Sequence, residues 1–199
     1  TTTTEYKKLS HALSGKGACA LFGLPASGRA QVYAALCRQL DKPLCIVTPG
    51  EAEATRFAAD LNTLGIPAAV FPARDYVLRP IEGTAREYEY RRLAVLGELV
   101  GGRLCAVAVP AEALTQFTTP KEDFCANTRT LHAGDTLLRD DLLAALFGAG
   151  YTRRAQVDGP GQFSVRGDIV DIFAPDQKMP VRMEFWGDEI DTLHTFDLT

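Results

Sequence analysis

The sequence predicts an α/β fold with a parallel sheet, followed by a small β-rich α+β domain. In the first part, short apolar runs alternate with segments in which apolar residues recur every three or four positions, a pattern typical of the strands and helices of a doubly wound parallel sheet. From Gly161 to Leu198, β-branched and aromatic residues recur with period two and are interrupted by Gly, Pro and Asp. That spacing predicts successive antiparallel strands.

Composition places the chain among ordinary globular proteins. Of its 199 residues, 46% are hydrophobic and 23% charged, which is enough to bury a core and form one or two domains. We find neither an apolar run of membrane-spanning length nor a secretory leader, and we expect a cytoplasmic protein. The five cysteines are odd in number and scattered, so we expect neither disulfides nor a zinc site, and predict buried thiols in a reduced compartment. They are Cys19, Cys37, Cys45, Cys105 and Cys125.

Charge is divided unevenly along the chain. Residues 1–118 hold 13 Lys and Arg against 11 Asp and Glu, a net charge of +2, whereas residues 119–199 hold 8 against 14, a net charge of −6. Strong binding to nucleic-acid phosphates depends on Lys and Arg, so the second part is a poor candidate for it. Its acidity favours a protein partner of basic character.

The apolar pattern predicts the elements of the first domain, which we place at residues 1–118. Helices are expected at 5–13, 32–40, 51–64, 86–100 and 110–114, and strands at 18–22, 43–48, 68–71 and 104–109. The polar run from Thr118 to Asp123 marks a domain boundary. Beyond it, in the second domain at residues 119–199, we predict a strand at 128–132 and a helix with an apolar face formed by Leu142, Leu143, Leu146 and Phe147.

A glycine loop joins the predicted strand at 18–22 to the next helix. Gly23 and Gly28 have the spacing of a P-loop, Gly-x-x-x-x-Gly-Lys-Ser/Thr, but Arg29 and Ala30 occupy the places of the lysine and the hydroxyl residue. Arginine does not replace the compact ammonium that reaches the phosphates, and alanine cannot bind magnesium. We therefore expect a degenerate P-loop that does not bind nucleotide, with a loop that uses Arg29 for phosphate as the alternative.

Gly187-Asp188 predicts a two-residue hairpin loop with Gly in the first central position. The register that follows pairs Trp186 with Glu189, Phe185 with Ile190, Glu184 with Asp191, and Arg182 with Leu193. Val181, Met183, Phe185 and Ile190 then form a core face, and the opposite face carries Arg182, Glu184, Trp186, Glu189 and Asp191. On that face two carboxylates lie opposite each other and require Arg182 or Arg166 as a cation. The tryptophan indicates either a solvated face or a surface that docks a protein, since Trp and Arg are enriched in binding hot spots.

No catalytic constellation emerges from the remaining polar residues. The acidic residues near the hairpin (Asp168, Asp171, Glu184, Asp188, Glu189 and Asp191) could form a metal or acid-base cluster. Strand alternation distributes them over both faces, and no histidine accompanies them, so solvation or ion pairs with Arg166 and Arg182 are the better interpretation. Arg91 and Arg92, with Tyr88 and Tyr90 nearby, form a small basic-aromatic patch that we interpret as a solvated helix face.

Two runs in the second domain resemble a known family. Gly-Gln-Phe-Ser-Val-Arg-Gly-Asp-Ile-Val-Asp-Ile-Phe at 161–173 and Pro-Val-Arg-Met-Glu-Phe-Trp-Gly-Asp-Glu-Ile-Asp at 180–191 resemble the second domain of the UvrB family. The same domain occurs near the N-terminus of the transcription-repair coupling factors (Mfd). The first part is similar to the helicase-like α/β domain of both. Since the ATP-loop lysine is absent and the interval at 72–85 holds only Tyr76 in place of a Tyr-rich insertion, the coupling factors are the better match.

The resemblance implies a recruitment module for UvrA, acting at a stalled RNA polymerase. The positions that match the family's UvrA-contacting residues are Arg166, Arg182 and Trp186. It also implies that this segment needs no cofactor, that ATP, magnesium and DNA belong to the motor domains of an ATP-dependent DNA translocase, and that a distant C-terminal domain can contact the docking face. The alternatives are a divergent UvrB-like ATPase that binds damaged DNA, and a direct DNA-binding domain.

Overall fold

The computed structural model describes residues 4–15, 18–40, 42–74 and 84–198. The chain separates into two compact units. The first comprises Thr1–Tyr88 and Val95–Phe117, and the second comprises Glu89–Ala94 and Thr118–Thr199. The second unit therefore takes a short helical segment from the first part of the chain in addition to everything beyond residue 117.

The first unit is built from helices alternating with strands, as predicted. Its elements are α1 (Thr4–Ser14), α2 (Ala26–Gln39), β1 (Leu44–Thr48), α3 (Glu51–Thr63), β2 (Ala68–Val70), α4 (Thr84–Val100), β3 (Ala106–Pro110) and α5 (Ala111–Leu114). Helix α3 ends before Gly65, whose φ of +73° suits glycine in the turn that follows a helix.

A parallel three-stranded sheet with the order β1-β3-β2 forms the centre of this unit. The central strand β3 is buried along its whole length, as a strand between two covered faces must be. Phe57 and Leu61 of α3 pack with Ala106 on one face, and Val95 of α4 packs with Val107 on the other. The predicted parallel α/β arrangement is confirmed.

The strand predicted at 18–22 is wrong. Residues 18–22 have no regular secondary structure, and Phe22 is 88% exposed. An apolar run becomes a strand only when a neighbouring strand supplies backbone partners, and in the described part of the chain β1 pairs with β3 alone. The P-loop frame of strand, loop and helix is therefore present only as loop and helix. Tyr76, in the interval compared with the UvrB insertion, lies outside the described residues.

Beyond residue 117, the described part of the second unit contains two helices and a five-stranded sheet. Its elements are α6 (Lys121–Ala126), α7 (Arg139–Gly148), β4 (Thr152–Arg153), β5 (Gln162–Arg166), β6 (Ile169–Phe173), β7 (Val181–Trp186) and β8 (Glu189–Thr195). The sheet order is β4-β5-β6-β7-β8, with β4 and β5 parallel and the other neighbours antiparallel. The strand predicted at 128–132 is wrong, because these residues have no strand partner. Helix α6, which was not predicted, starts after Pro120 with Glu122 and Asp123 in its first turn, where carboxylates favour a helix N-terminus.

The hairpin β7–β8 follows the predicted register only near its turn. Trp186 pairs with Glu189 and Phe185 with Ile190, as predicted, and Gly187 has a φ of +62°. Between Glu184 and Phe185 the register then shifts, so that Glu184 pairs with Thr192 and Arg182 with His194. The predicted pairs of Glu184 with Asp191 and of Arg182 with Leu193 are wrong, because Asp191 is the extra residue of a β-bulge.

One face of this sheet packs against α7. The core contains Leu142 and Leu146 of the helix together with strand residues such as Phe163, Val170, Met183, Phe185 and Ile190. Leu193 packs against the same core. It faces the core because the bulge shifts the in-out alternation of β8 by one residue. The predicted core face is confirmed for Met183, Phe185 and Ile190, whereas Val181 is only partly buried and is not in this cluster. The opposite face carries the polar side chains of β5 and β7.

Two expectations about single side chains are wrong. All five cysteines are free, but Cys19, Cys45 and Cys125 are exposed, since they lie in the irregular segment, on the edge strand β1 and on the short helix α6. Arg92 is only 7% exposed and donates a hydrogen bond from Nη2 to Oγ1 of Thr118 at 2.9 Å. This part of the patch is therefore packed and not solvated.

Among the described residues, no helix combines the length and the apolar character needed to cross a membrane.

Candidate protein-docking site

The polar face of the five-stranded sheet brings the three predicted binding residues onto one surface. Arg166 ends β5, whereas Arg182 and Trp186 belong to β7. Cross-strand pairs place Ser164 opposite Asp171, and Asp171 opposite Arg182. We call this surface the arginine face and define it by Ser164, Arg166, Asp171, Arg182, Glu184 and Trp186.

Asp171 forms the centre of the arginine face. Arg182 donates from Nε to Oδ1 at 2.6 Å and from Nη2 to Oδ2 at 2.9 Å, a bidentate pair. Arg166 donates from Nη2 to Oδ2 at 2.7 Å, and the Ser164 hydroxyl lies 3.4 Å from the same oxygen. Charge-assisted bidentate contacts of this kind are among the strongest protein hydrogen bonds and hold the guanidinium in one orientation. Both guanidiniums keep further N–H donors outside the cluster.

Burial and charge act in opposite directions on Asp171. Its side chain is 2% exposed, while those of Arg182 and Arg166 are 27% and 54% exposed. Burial, the largest single influence, favours the neutral acid, but the hydrogen bonds and positive charges of Arg182 and then Arg166 together outweigh it and lower the pKa of Asp171. The same contact raises the pKa of Arg182. The cluster is ionised at neutral pH, with one carboxylate between two cations.

Two aromatic side chains complete the surface. The guanidinium carbon of Arg182 lies 4.8 Å from the ring centroid of Phe196, just beyond β8, which is within the range of a cation–π contact. Trp186 is 83% exposed, and strand geometry places it roughly 13 Å along β7 from Arg182 on the same face. An exposed tryptophan near two oriented arginines has the chemical make-up of a protein-binding hot spot.

Sequence reasoning selected the arginines and Trp186, and it named Asp171 only as one of six acidic residues that could form ion pairs with the arginines. Gly167-Asp168 has the same two residue types as the hairpin loop Gly187-Asp188. If it is interpreted as a two-residue loop too, it predicts that Ser164 lies opposite Asp171, as the structure shows. The pairing of Asp171 with Arg182 depends on how β6 and β7 meet across the longer connection at 174–180, and no turn signal fixes that register. The contact of Phe196 was likewise not indicated by any pattern.

The other acidic residues do not form a second centre. Asp168 accepts a hydrogen bond from Arg139 Nη1 at 3.1 Å in the turn before β6, Asp188 lies in the hairpin loop and Asp191 in the bulge. The ion pairs predicted for Arg166 and Arg182 exist, with Asp171 as their acceptor. Within the described residues, no group of three or more His, Cys, Asp and Glu is placed to hold a metal ion.

The glycine loop at 23–30 belongs to the first unit. Gly23 has a φ of +79°, which suits glycine, and α2 starts after Pro25. Arg29 Nη1 lies 3.7 Å from Glu53 Oε1 of α3. Ala30 is 2% exposed and carries no oxygen that could bind a metal. The arginine thus has an acidic neighbour at the place where a P-loop cation would face phosphate.

Comparison with known proteins identifies relatives for nearly the whole chain. Residues 130–199 match the family model of the UvrB interaction domain. The transcription-repair-coupling factor of Mycobacterium tuberculosis is 38% identical over 182 residues, 87% of this chain, and that of Bacillus subtilis is 29% identical over 179 residues, 89% of this chain. The UvrABC system protein B of Chlorobium limicola is 28% identical over 193 residues, again 89% of this chain.

The chain spans only part of these relatives. It corresponds to 14% and 15% of the two coupling factors and to 28% of the UvrABC system protein B. The resemblance to the UvrB family and the coupling factors is confirmed. The similarity includes both units, and the matched domain at 130–199 contains all residues of the arginine face.

Proposed function

We propose that this chain, a UvrB-homology region similar to the first part of the transcription-repair-coupling factors, is a non-catalytic module that binds UvrA through the arginine face. In the longer protein it would bring UvrA to a stalled RNA polymerase in nucleotide excision repair. RNA polymerase and DNA would be bound by other parts of that protein, which also hold its ATP-dependent translocase. A contact of the arginine face with a distant domain of the same protein would regulate access.

A single observation carries this proposal. The domain that matches the UvrB interaction domain presents Trp186, 83% exposed, on the same face as two arginines that a buried carboxylate already orients. Preorganised arginines lose less conformational entropy on binding than free ones. Their further N–H donors suit carboxylate or carbonyl oxygens of the partner, and the indole supplies apolar area.

The tryptophan itself provides the test of binding. Trp186 is the sole tryptophan of the chain, so 5-fluorotryptophan labelling gives one ¹⁹F resonance that reports from the arginine face. Titration with purified, unlabelled UvrA should shift or broaden this resonance in a saturable way. In the variant Arg182→Ala we expect an affinity at least about tenfold lower, or roughly 1.4 kcal/mol.

The matched control is Arg103→Ala. It removes the same charge from the first unit, where Arg103 is 53% exposed and pairs with Glu98 at 3.0 Å, and it should bind UvrA as the parent chain does. Thermal unfolding of each variant verifies that it is folded. No saturable binding by the folded parent chain, or equal losses in both variants, would reject the arginine face as the UvrA site.

We also propose that the glycine loop does not bind nucleotide. The Arg29 ion pair with Glu53 and the absence of a hydroxyl at Ala30 support this. A ligand that binds the native state alone raises the melting temperature, so millimolar Mg-ATP should leave the melting temperature of the first unit within about 1 °C of its value in buffer. A saturable rise that Arg29→Ala abolishes would favour the alternative, a divergent UvrB-like ATPase.

A further inference from the structure

We propose that Asp171 is the positioning residue of the arginine face: this buried carboxylate fixes both arginines in the orientation in which they meet a partner. Its effect on affinity rests on the proposed binding of UvrA. Its effect on arginine geometry does not, and can be measured in the chain by itself.

The contacts around Arg182 hold its guanidinium on two sides. Asp171 engages the edge formed by Nε and Nη2, and the ring of Phe196 lies over the carbon of the same group at 4.8 Å. With that edge and one face occupied, rotation about the terminal bonds of the side chain would break at least one contact. The edge formed by Nη1 is left to present its N–H donors in a defined direction.

Arg166 is held by the same oxygen from the neighbouring side. Its Nη2 lies 2.7 Å from Oδ2 of Asp171, the atom that also accepts from Nη2 of Arg182. Two cations that would otherwise repel each other are thus brought to one acceptor. Asp171 is 1% exposed and lies in the middle strand of the sheet, where it pairs with Ser164 on one side and Arg182 on the other. Its backbone position is therefore set by the sheet and not by solvent.

Because Asp171 is charged, its effect on the orientation of the arginines can be distinguished from its effect on the Coulomb attraction between the arginine face and a partner. Removing this carboxylate makes the arginine face more positive, so Coulomb attraction to acidic groups of a partner would become stronger. If the carboxylate acts by orienting the arginines, its removal must weaken binding in spite of the added positive charge. The two explanations therefore predict opposite signs for the change in affinity caused by Asp171→Asn, measured at pH 7.

The first experiment uses arginine side-chain NMR of the chain alone. The Nε–Hε signal of Arg182 should be visible at pH 7 and exchange with water at least about tenfold more slowly than that of Arg56, whose side chain is 55% exposed. In Asp171→Asn this protection should be lost while the backbone spectrum keeps its dispersion. Equal exchange of Arg182 and Arg56 in the parent chain would overturn the proposal without any variant.

The second experiment is a double-mutant cycle with UvrA. Asp171→Asn should lower affinity about tenfold in the parent chain but about threefold or less in an Arg182→Ala background, because only Arg166 then remains to be misplaced. Unchanged or tighter binding by the folded variant would overturn the proposal. So would a tenfold loss in both backgrounds, since Asp171 would then act independently of Arg182.

A second variant covers the case in which Asp171→Asn does not fold. Phe196→Leu removes the ring over Arg182 but keeps every charge, and it should weaken UvrA binding about threefold with an unchanged melting temperature. Unaltered binding by this variant and unaltered exchange of the Arg182 Nε–Hε proton would refute the double restraint on Arg182. If the parent chain shows a protected Arg182 but does not bind UvrA, the proposed function fails while the positioning of the arginine stands.

Discussion

Asp171 combines two properties that rarely occur together, a charge and nearly complete burial. An isolated buried carboxylate would be unfavourable by several kcal/mol, and here two guanidiniums and the Ser164 hydroxyl supply its partners. The desolvation cost of the two arginines is smaller, since both side chains stay partly exposed. The cluster therefore stabilises the second unit only while Asp171 is ionised.

This dependence leads to a prediction about acid stability. At pH 7, Asp171→Asn should lower the free energy of unfolding by about 1.5–3 kcal/mol, because hydrogen bonds to a charged acceptor are lost. The folded-state pKa of Asp171 is lowered, so its contribution is complete above the ordinary carboxyl pKa of about 3.9 and is lost as the pH falls through the folded-state value. Urea unfolding of both proteins at pH 7, 4 and 3 tests this, and a difference that stays constant down to pH 3 would contradict it.

Gly161 offers a second prediction at the scale of one residue. Its φ is +73°, and a Cβ added there would overlap the phenol ring of Tyr90. Gly161→Ala should therefore lower the free energy of unfolding by roughly 2–4 kcal/mol, through backbone strain and overpacking together. The control is Gly150→Ala, which has a φ of +83° but open space around the added carbon and should cost about 1–2 kcal/mol. Equal losses in the two variants, measured by denaturant unfolding, would show that the Tyr90 contact has no energetic role.

At the scale of elements, the hairpin β7–β8 shows how a bulge preserves the two faces of a sheet. Without the extra residue Asp191, Leu193 would lie opposite Arg182 on the polar face. With it, Leu193 pairs with Met183 and contacts the core. The bulge thus keeps an apolar residue off the arginine face and leaves Arg182 next to Phe196.

The two registers differ in what they predict for Leu193. In the bulged register, Leu193→Ala removes core contacts and should lower the free energy of unfolding by about 1–2 kcal/mol, whereas Asp191→Ala should change it by less than about 0.5 kcal/mol. Chemical denaturation of the two variants distinguishes the registers. A surface-like effect of Leu193→Ala would favour the regular hairpin.

The edge of the parallel sheet shows where local pattern reading fails. Residues 18–22 and β1 are similarly apolar, yet only β1 finds a strand partner, and Val47 remains 55% exposed on it. The composition of a run reports its preference for burial. Whether a strand forms also depends on which other segment arrives beside it, and that is decided by chain connections many residues long.

At the scale of the whole molecule, net charge and local charge point to different partners. Residues 119–199 carry a net charge of −6, whereas the cluster of Arg166, Arg182 and Asp171 sums to +1 and Glu184 brings the whole arginine face to zero. Long-range steering follows the summed charge, whereas the contacts made on docking follow the local one. A partner with a basic surface around the contact and carboxylate acceptors at the contact would suit both the long-range steering and the docking contacts.

The division into two units leads to a prediction about fragments. The second unit includes 89–94 of α4, which supplies Tyr90 beside Gly161 and the buried Arg92 bound to Thr118. A fragment of residues 118–199 should therefore melt several degrees below the second unit of the full chain, as a loss of about 1–2 kcal/mol implies for a domain of this size. The ¹⁹F signal of labelled Trp186 follows this transition in both proteins. Identical melting temperatures would show that the helical segment does not stabilise the unit.

The sequence by itself determined most elements and the two faces of strand β7. Short-range rules suffice for these features: the period of apolar residues selects helix or strand, and Gly187 places the turn and with it the pairs of Trp186 and Phe185. The same rules put Arg182 and Trp186 on one exposed face, and the unusual runs at 161–173 and 180–191 carry the likeness to the UvrB family.

Only the tertiary structure decided which residues meet across long connections. It brought Asp171 between Arg166 and Arg182, placed Phe196 over Arg182, moved Leu193 into the core through the bulge at Asp191, and left 18–22 outside the sheet. The physical reason is shared by all four. Each depends on the register or proximity of segments joined by bulges or loops, where the free energy is set by packing and by satisfaction of buried polar groups over the whole unit, and not by the residues of one element.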